Sequence, residues 1–136
     1  MKGRLMGVDY GLKRVGIALS DELRITVTPL QTIQRRGDKQ VCREIRELVA
    51  VHGVVEIVVG LPLESDGQDS GLTKTVDDFV TRLRNYVSIP VTLFDERFTS
   101  IEAEELLRES GRYTKKDKDL LDAAAAAVIL RWYLEG

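Results

Sequence analysis

Three features of the sequence predict a mixed α/β fold, in which helices cover a five-stranded sheet. Two apolar runs, residues 4–10 and 15–20, are joined by the short connection GLKR, which is typical of a β-hairpin. The β-branched run VVEIVVG at 54–60 is typical of a strand in the centre of a sheet. From this run onwards strand-like and helix-like segments alternate, and this alternation favours crossover units around a sheet.

Residue spacing predicts the elements between these runs and the fifth strand. VTPLQTIQ at 27–34 is a third strand, and Pro29 suits a sheet edge. Apolar residues recur at helical spacing over 39–52 and again over 72–87. IPVTLF at 89–94 is the fifth strand.

Two further helices are predicted after the fifth strand. Thr99 and Glu102 have the spacing of a capping box, which predicts a helix that ends near Glu109. The alanine-rich segment 117–134 predicts the last helix. LPLESDGQDSG at 61–71 is rich in turn residues and is expected to be an exposed loop.

The composition predicts one globular domain over residues 1–136. This length buries a core without disulfides, and 43% hydrophobic and 31% charged residues are ordinary for such a domain. No apolar run has the length of a membrane span and no signal-peptide pattern is present, so a cytoplasmic protein is expected. A single cysteine, Cys42, excludes an internal disulfide and a Cys-rich zinc site.

The charge is distributed unevenly, although the net charge is only −2. Residues 1–46 hold ten Lys and Arg against five Asp and Glu, and residues 47–136 hold ten against seventeen. A basic face for phosphate groups would explain this distribution, and so would an ordinary mixed surface.

An acidic residue interrupts the apolar first strand. Asp9 lies within RLMGVDYG, and burial of an unpaired carboxylate costs several kcal/mol. Ligands of α/β sheets bind beyond the carboxyl ends of strands, near a switch in strand order. Asp9 ends the first strand, and Asp95 and Glu96 end the fifth, so these acids can face the same crevice.

Two more acids lie three residues apart in the last helix. Asp119 and Asp122 share a helix face with Ala125 and Ala126, whose small side chains let the helix approach the sheet and bring Asp122 towards Asp9. Asp119 is equally explained by the preference of acids for the first turn of a helix.

Converging carboxylates need cations, and Mg²⁺ or Mn²⁺ suits oxygen ligands. Two such ions can clamp an in-line displacement at phosphorus, one activating water and the other stabilising the leaving oxygen. This chemistry needs no catalytic histidine or cysteine, and the chain contains only His52 and Cys42. The pattern therefore predicts a metal-dependent nuclease.

Five motifs occur in order along nearly the whole chain. They are DYGLKRVGIALSD at 9–21, PLQTI at 29–33, VVGLPLESDG at 58–67, DERFTS at 95–100 and DLLDAAAAAVIL at 119–130. Together they resemble the YqgF family, also called RuvX-like, whose members are described as Holliday junction resolvases and as pre-16S rRNA nucleases. The family is similar to the RuvC-type resolvases, and the resemblance implies the ribonuclease H-like fold with sheet order 3-2-1-4-5.

The resemblance also implies roles for individual acids. Asp9, Glu96 and Asp122 match the family's acids and would be catalytic metal ligands. Asp119 resembles the second acid of a paired-acid helix in the resolvase relatives and would also bind metal.

Basic and hydroxyl residues have implied roles in substrate binding. Lys13 and Arg14 match a basic pair after the first strand that would hold the phosphate backbone. Arg97 and Thr99 match the rest of the DER motif and would orient Glu96 or contact the substrate.

One departure from the resolvase relatives concerns the second metal position. Those relatives carry an acid at the end of strand four, where this chain has VVGLPL. Glu96 would substitute, or Glu64 or Asp66 would reach back from the loop, and Asp95 and Asp119 are further candidates. The sequence leaves this choice open.

Several substrates and functions fit this resemblance. The resemblance favours processing of the 5′ end of precursor 16S rRNA, with ribosomal particles as partners, and a monomer suffices for cutting single-stranded RNA. A resolvase of four-way DNA junctions is the alternative, and it would need a two-fold dimer. A non-catalytic RNA- or ribosome-binding module is a further alternative. The DxG turn also resembles actin-like ATPases, but those need two such domains to enclose a nucleotide.

Overall fold

The computed structural model describes residues 2–62, 73–96 and 118–135, and in these ranges five strands form one sheet with helices on both faces. The strands are β1 (Arg4–Asp9), β2 (Arg14–Ser20), β3 (Val27–Gln34), β4 (Val54–Pro62) and β5 (Val91–Glu96). The described helices are α1 (Asp38–His52), α2 (Thr73–Leu83) and α3 (Lys118–Glu135). None of these three helices is both long and apolar enough to cross a membrane.

The strand order is β3-β2-β1-β4-β5, which confirms the predicted order 3-2-1-4-5. β2 is antiparallel to β1 and β3, whereas β1, β4 and β5 are mutually parallel. The last residues of the three parallel strands therefore lie at one end of the sheet, here called the carboxyl end. Because β2 runs the other way, its first residue, Arg14, lies at this end too.

Alternation along β1 divides the core between two helix layers. Leu5 packs in a cluster with residues of α3, such as Ala126 and Leu130. Met6 and Val8 pack on the opposite face with residues of α1 and α2. Successive strand side chains point to opposite faces, so every second position of β1 faces α3.

Glycines on the sheet allow α3 to lie against it. A Cβ atom added to Gly16 of β2 would lie 1.9 Å from the backbone oxygen of Asp122. A Cβ atom added to Gly7 of β1 would lie 2.6 Å from the backbone oxygen of Ala126, one helical turn further on. The predicted close approach is present, and it depends on these glycines as well as on the alanines of the helix.

Two element bounds differ from the prediction for local reasons. The helix predicted over 72–87 ends at Leu83, and the amide of Tyr86 donates to the Leu83 carbonyl in a closing turn. The strand predicted over 89–94 corresponds to β5, which begins two residues later, at Val91. Pro90 lacks an N–H group, so the ladder with β4 begins only after it. The helix predicted over 99–109 lies outside the described residues.

Replacement of Gly16 by alanine tests the contact between helix and sheet. We expect Gly16→Ala to lower the free energy of unfolding by about 3 kcal/mol, the upper end for overpacking, because the new methyl group meets backbone and not a flexible side chain. Denaturant unfolding measures this loss.

Gly37→Ala is the control for this substitution. No atom lies within 4 Å of a Cβ built at Gly37, whose φ of 171° is open to any residue. Loss of glycine at this N-cap costs at most about 1 kcal/mol. Equal destabilisation by the two variants would contradict the close approach.

Candidate active site

Two acids that are far apart in sequence, Asp9 and Asp122, both lie next to Gly16 at the carboxyl end of the sheet. Asp9 is the last residue of β1 and pairs in register with Gly16. The backbone of Asp122 lies directly against Gly16. Asp9 follows Leu5 and Gly7 at even spacing, so it belongs to the face of β1 that α3 covers. Register and close packing together therefore place Asp9 and Asp122 around one position of the sheet.

Arg14 holds the carboxylate of Asp122. Its Nε atom donates to Oδ2 of Asp122 at 2.7 Å, and the two side chains are 32% and 24% exposed. This contact uses one of the five N–H donors of the guanidinium group. The resemblance predicts that Arg14 binds substrate phosphate, and the structure adds that one of its N–H groups holds an acid of the candidate site.

The turn between β1 and β2 presents the second predicted basic residue. Lys13 is exposed at this turn. A Cβ atom on Gly11 would lie 2.5 Å from the Arg14 carbonyl oxygen, so the tight path of the chain requires glycine there. Lys13 therefore lies on a tight turn between Asp9 and Arg14, and it is exposed to solvent.

The other predicted site residues are placed only in part. Glu96 is the last residue of β5 and pairs with Pro62, so its backbone lies at the carboxyl end of the sheet. Asp95 is the residue before it. Asp119 is the second residue of α3. Outside the described residues lie Arg97, Thr99, Glu64 and Asp66.

The described side chains alone do not make up a metal cluster. Among them, no three His, Cys, Asp or Glu residues form a group that could hold an ion. Asp9 and Asp122 are two acids that the described part of the chain places at one position of the sheet. Cys42 is buried on the opposite face of the sheet, where burial raises the pKa of its thiol to about 11.

The structure also contains a polar cluster next to Asp9 that the sequence pattern does not predict. The Tyr10 hydroxyl donates to Oδ1 of Asp38 at 2.7 Å, and Nε of Arg35 donates to the same oxygen at 3.1 Å. The Tyr10 ring also packs on Phe79, with centroids 4.5 Å apart. Arg35 and Asp38 have the spacing of a local ion pair, but no local pattern links Tyr10 to a residue 28 positions later.

Loss of the Arg14 guanidinium tests how the Asp122 carboxylate is held. Because the pair is partly exposed, we expect Arg14→Gln to lower the free energy of unfolding by less than about 1 kcal/mol. Thermal or denaturant unfolding measures this, with Arg131→Gln on the exposed surface of α3 as control. A loss of several kcal/mol would show that the pair behaves as a buried one.

The Tyr10 hydroxyl should stay protonated throughout the neutral range. Burial, followed by the hydrogen bond to Asp38, raises its pKa to about 12. The folded state therefore holds a proton that the unfolded state loses near pH 10, and stability should fall between about pH 10 and 12. Ultraviolet titration of wild type and Tyr10→Phe checks this. The difference between the two titrations is that of the Tyr10 phenol, and a midpoint at or below pH 10 would contradict the prediction.

Comparison with known proteins identifies the family. The model of the RuvX family, described as Holliday junction resolvase, matches residues 3–136. A relative from Koribacter versatilis named “Putative pre-16S rRNA nuclease” is 40% identical over 133 residues, which are 98% of this chain and 87% of that protein. A relative of the same name from Endomicrobium trichonymphae is 41% identical, over 97% of this chain and 95% of that protein.

Solved structures share the fold at low sequence identity. Thermus thermophilus RuvC in complex with a Holliday junction substrate matches with a TM-score of 0.59 and 13% identity, over 97% of this chain and 94% of that chain. The Fowlpox virus resolvase bound to Holliday junction DNA also matches with a TM-score of 0.59, at 14% identity and 97% coverage of both chains. The predicted ribonuclease H-like fold and the predicted family of nucleases are confirmed, and the chain belongs to the RuvX family.

Proposed function

We propose that this chain is a divalent-metal-dependent nuclease that processes the 5′ end of precursor 16S rRNA. The proposal rests on the observation that Asp9 pairs in register with Gly16, on which the backbone of Asp122 packs. The names of the relatives support RNA as the substrate.

The donor set fits Mg²⁺ or Mn²⁺. Carboxylate oxygens are the ligands these ions prefer, and Mg²⁺ is held by few carboxylates together with water and substrate phosphate. Asp9 and Asp122 would be ligands, with Glu96 as the third catalytic acid and Asp119 as a further ligand. When bound, the ions supply an activated water and neutralise charge on the scissile phosphate.

Basic residues near the site would hold the RNA backbone. Lys13 is exposed on the turn that follows Asp9, and Arg14, which begins β2, uses one N–H group to hold Asp122 and has four others available for phosphate. Further exposed basic side chains occur where α1 begins, at Arg36 and Lys39. Phosphate contacts of this kind position a strand without reading its sequence. Arg97 and Thr99 would orient Glu96 or add substrate contacts.

A resolvase acting on four-way DNA junctions is the second candidate. The description of the family and the fold shared with junction-bound resolvases favour it. Paired symmetric cuts would need a two-fold dimer. A module that binds RNA or ribosomal particles in the cytoplasm without cutting is a third candidate.

The experiment compares both substrates under defined metal conditions. Purified protein is incubated with labelled precursor 16S rRNA and, separately, with a four-way DNA junction, in Mg²⁺, in Mn²⁺ and with chelator. Metal-dependent cuts near the mature 5′ end establish the rRNA nuclease, and paired symmetric cuts in the junction establish the resolvase. Binding of RNA without cleavage would favour the binding module.

Asp9→Asn should abolish cleavage and leave the fold intact. Without metal its free energy of unfolding should equal or exceed that of wild type, because a partly buried charge is removed. Metal at about 100 times its Kd should stabilise wild type by about 2.7 kcal/mol, and the variant should lose this gain. Glu22→Gln, an exposed acid beyond the far end of β2, is the control. Unchanged cleavage by Asp9→Asn would refute the site.

A further inference from the structure

We infer that Tyr10, Arg35 and Asp38 are positioning residues of the nuclease site, holding the turn that joins Asp9 to Arg14 in its working conformation. This inference rests on the proposed function. The three residues come from three elements that meet at the carboxyl end of the sheet. Tyr10 directly follows β1, Arg35 directly follows β3, and Asp38 is the first residue of α1.

One carboxylate oxygen joins the three side chains. Oδ1 of Asp38 accepts from the Tyr10 hydroxyl at 2.7 Å and from Nε of Arg35 at 3.1 Å. The Arg35 guanidinium also lies 5.8 Å from the centroid of the Tyr10 ring. Shared acceptors and a cation near an aromatic ring restrict each side chain to one arrangement.

Arg35 transmits this arrangement to the turn through the backbone. Its Nη1 atom donates to the Leu12 carbonyl at 3.1 Å, and its own amide donates to the Lys13 carbonyl at 2.9 Å. Two consecutive carbonyl groups of the turn are thus held by one residue. Leu12 is 53% exposed, so burial of this residue does not hold the turn in place.

The cluster lies on the face of the sheet opposite to the acids. The Tyr10 ring packs on Phe79 of α2, whereas the neighbouring Asp9 belongs to the face covered by α3. These side chains therefore act through the backbone and not on the substrate. Displacement of the turn would move both the end of β1, with Asp9, and the start of β2, with Arg14.

The structure contains a matched control for the Tyr10 hydroxyl. Tyr133 of α3 donates to Oε2 of Glu56 at 2.7 Å, the same kind of bond at the same length. Glu56 pairs in register with Leu5, four residues before Asp9 on β1. At about 3.3 Å per strand residue, this bond lies roughly 13 Å along the sheet from the acids.

The test compares Tyr10→Phe with Tyr133→Phe in the full-length protein. Each variant loses one hydroxyl, and both should lower Tm by similar amounts. Only Tyr10→Phe should lower kcat for cleavage of the precursor RNA, by about tenfold, because small misplacements of reacting groups are costly. It should also raise the Mn²⁺ concentration that gives half-maximal cleavage, which a loss of stability alone would not do.

Variants of Asp38 test whether the acceptor oxygen for the Tyr10 hydroxyl is what supports cleavage. Asp38→Asn keeps an oxygen that can accept from Tyr10, so its kcat should lie closer to wild type than that of Asp38→Ala. Equal kcat values for Tyr10→Phe and Tyr133→Phe at equal Tm loss would overturn the inference and leave the proposed function standing.

Amide hydrogen exchange tests the turn without any cleavage assay. Exchange in residues 11–14 should be faster in Tyr10→Phe than in wild type and unchanged in Tyr133→Phe. If wild type cuts neither RNA nor DNA in any metal, the proposed function fails, and this measurement still decides whether the cluster holds the turn. Unchanged exchange in Tyr10→Phe would refute that.

Discussion

The packing of α3 on Gly16 is the constraint on which the rest of the structure depends. Because Gly16 has no side chain, the helix backbone at Asp122 lies directly on β2. Antiparallel pairing then places Asp9 beside the same point. Any larger residue would lift the helix and separate the two acids. The lack of a side chain at Gly16 therefore sets the geometry of the site, because backbone packing positions the two acids.

The chain holds this packing at both ends of the sheet with similar chemistry. At the carboxyl end, Arg14 joins β2 to the start of α3 through Asp122. At the other end, Tyr133 near the end of α3 donates to Glu56 of β4. Between them, α3 is buried along its alanine-rich stretch. The helix is fixed by polar contacts at two points and by small apolar residues between them, which leaves little freedom for Asp122 to move.

The sequence predicts most of the fold because its periodic signals agree with its turn signals. It also points to Asp9, since a carboxylate at the end of an apolar run has few structural explanations. The importance of Gly16 is not predictable in this way, because glycine in a strand indicates a bulge or a close approach equally well. The pairing of Tyr10 with Asp38 and of Arg14 with Asp122 depends on tertiary contacts between distant residues. The apolar run predicts that β5 begins at residue 89, whereas the strand begins at Val91. The run does not show that the N–H group missing from Pro90 delays the start of the ladder.

The contact between Arg14 and Asp122 spans 108 positions, so its two partners are synthesised at well-separated times. The hairpin of β1 and β2 is made early, yet its glycines have no helix to cover them until residues 118–135 have been made. Domains fold as units once their contacting segments exist. The packing of the helix on Gly16 can therefore form only after residues 118–135 have been synthesised, long after the hairpin that it covers.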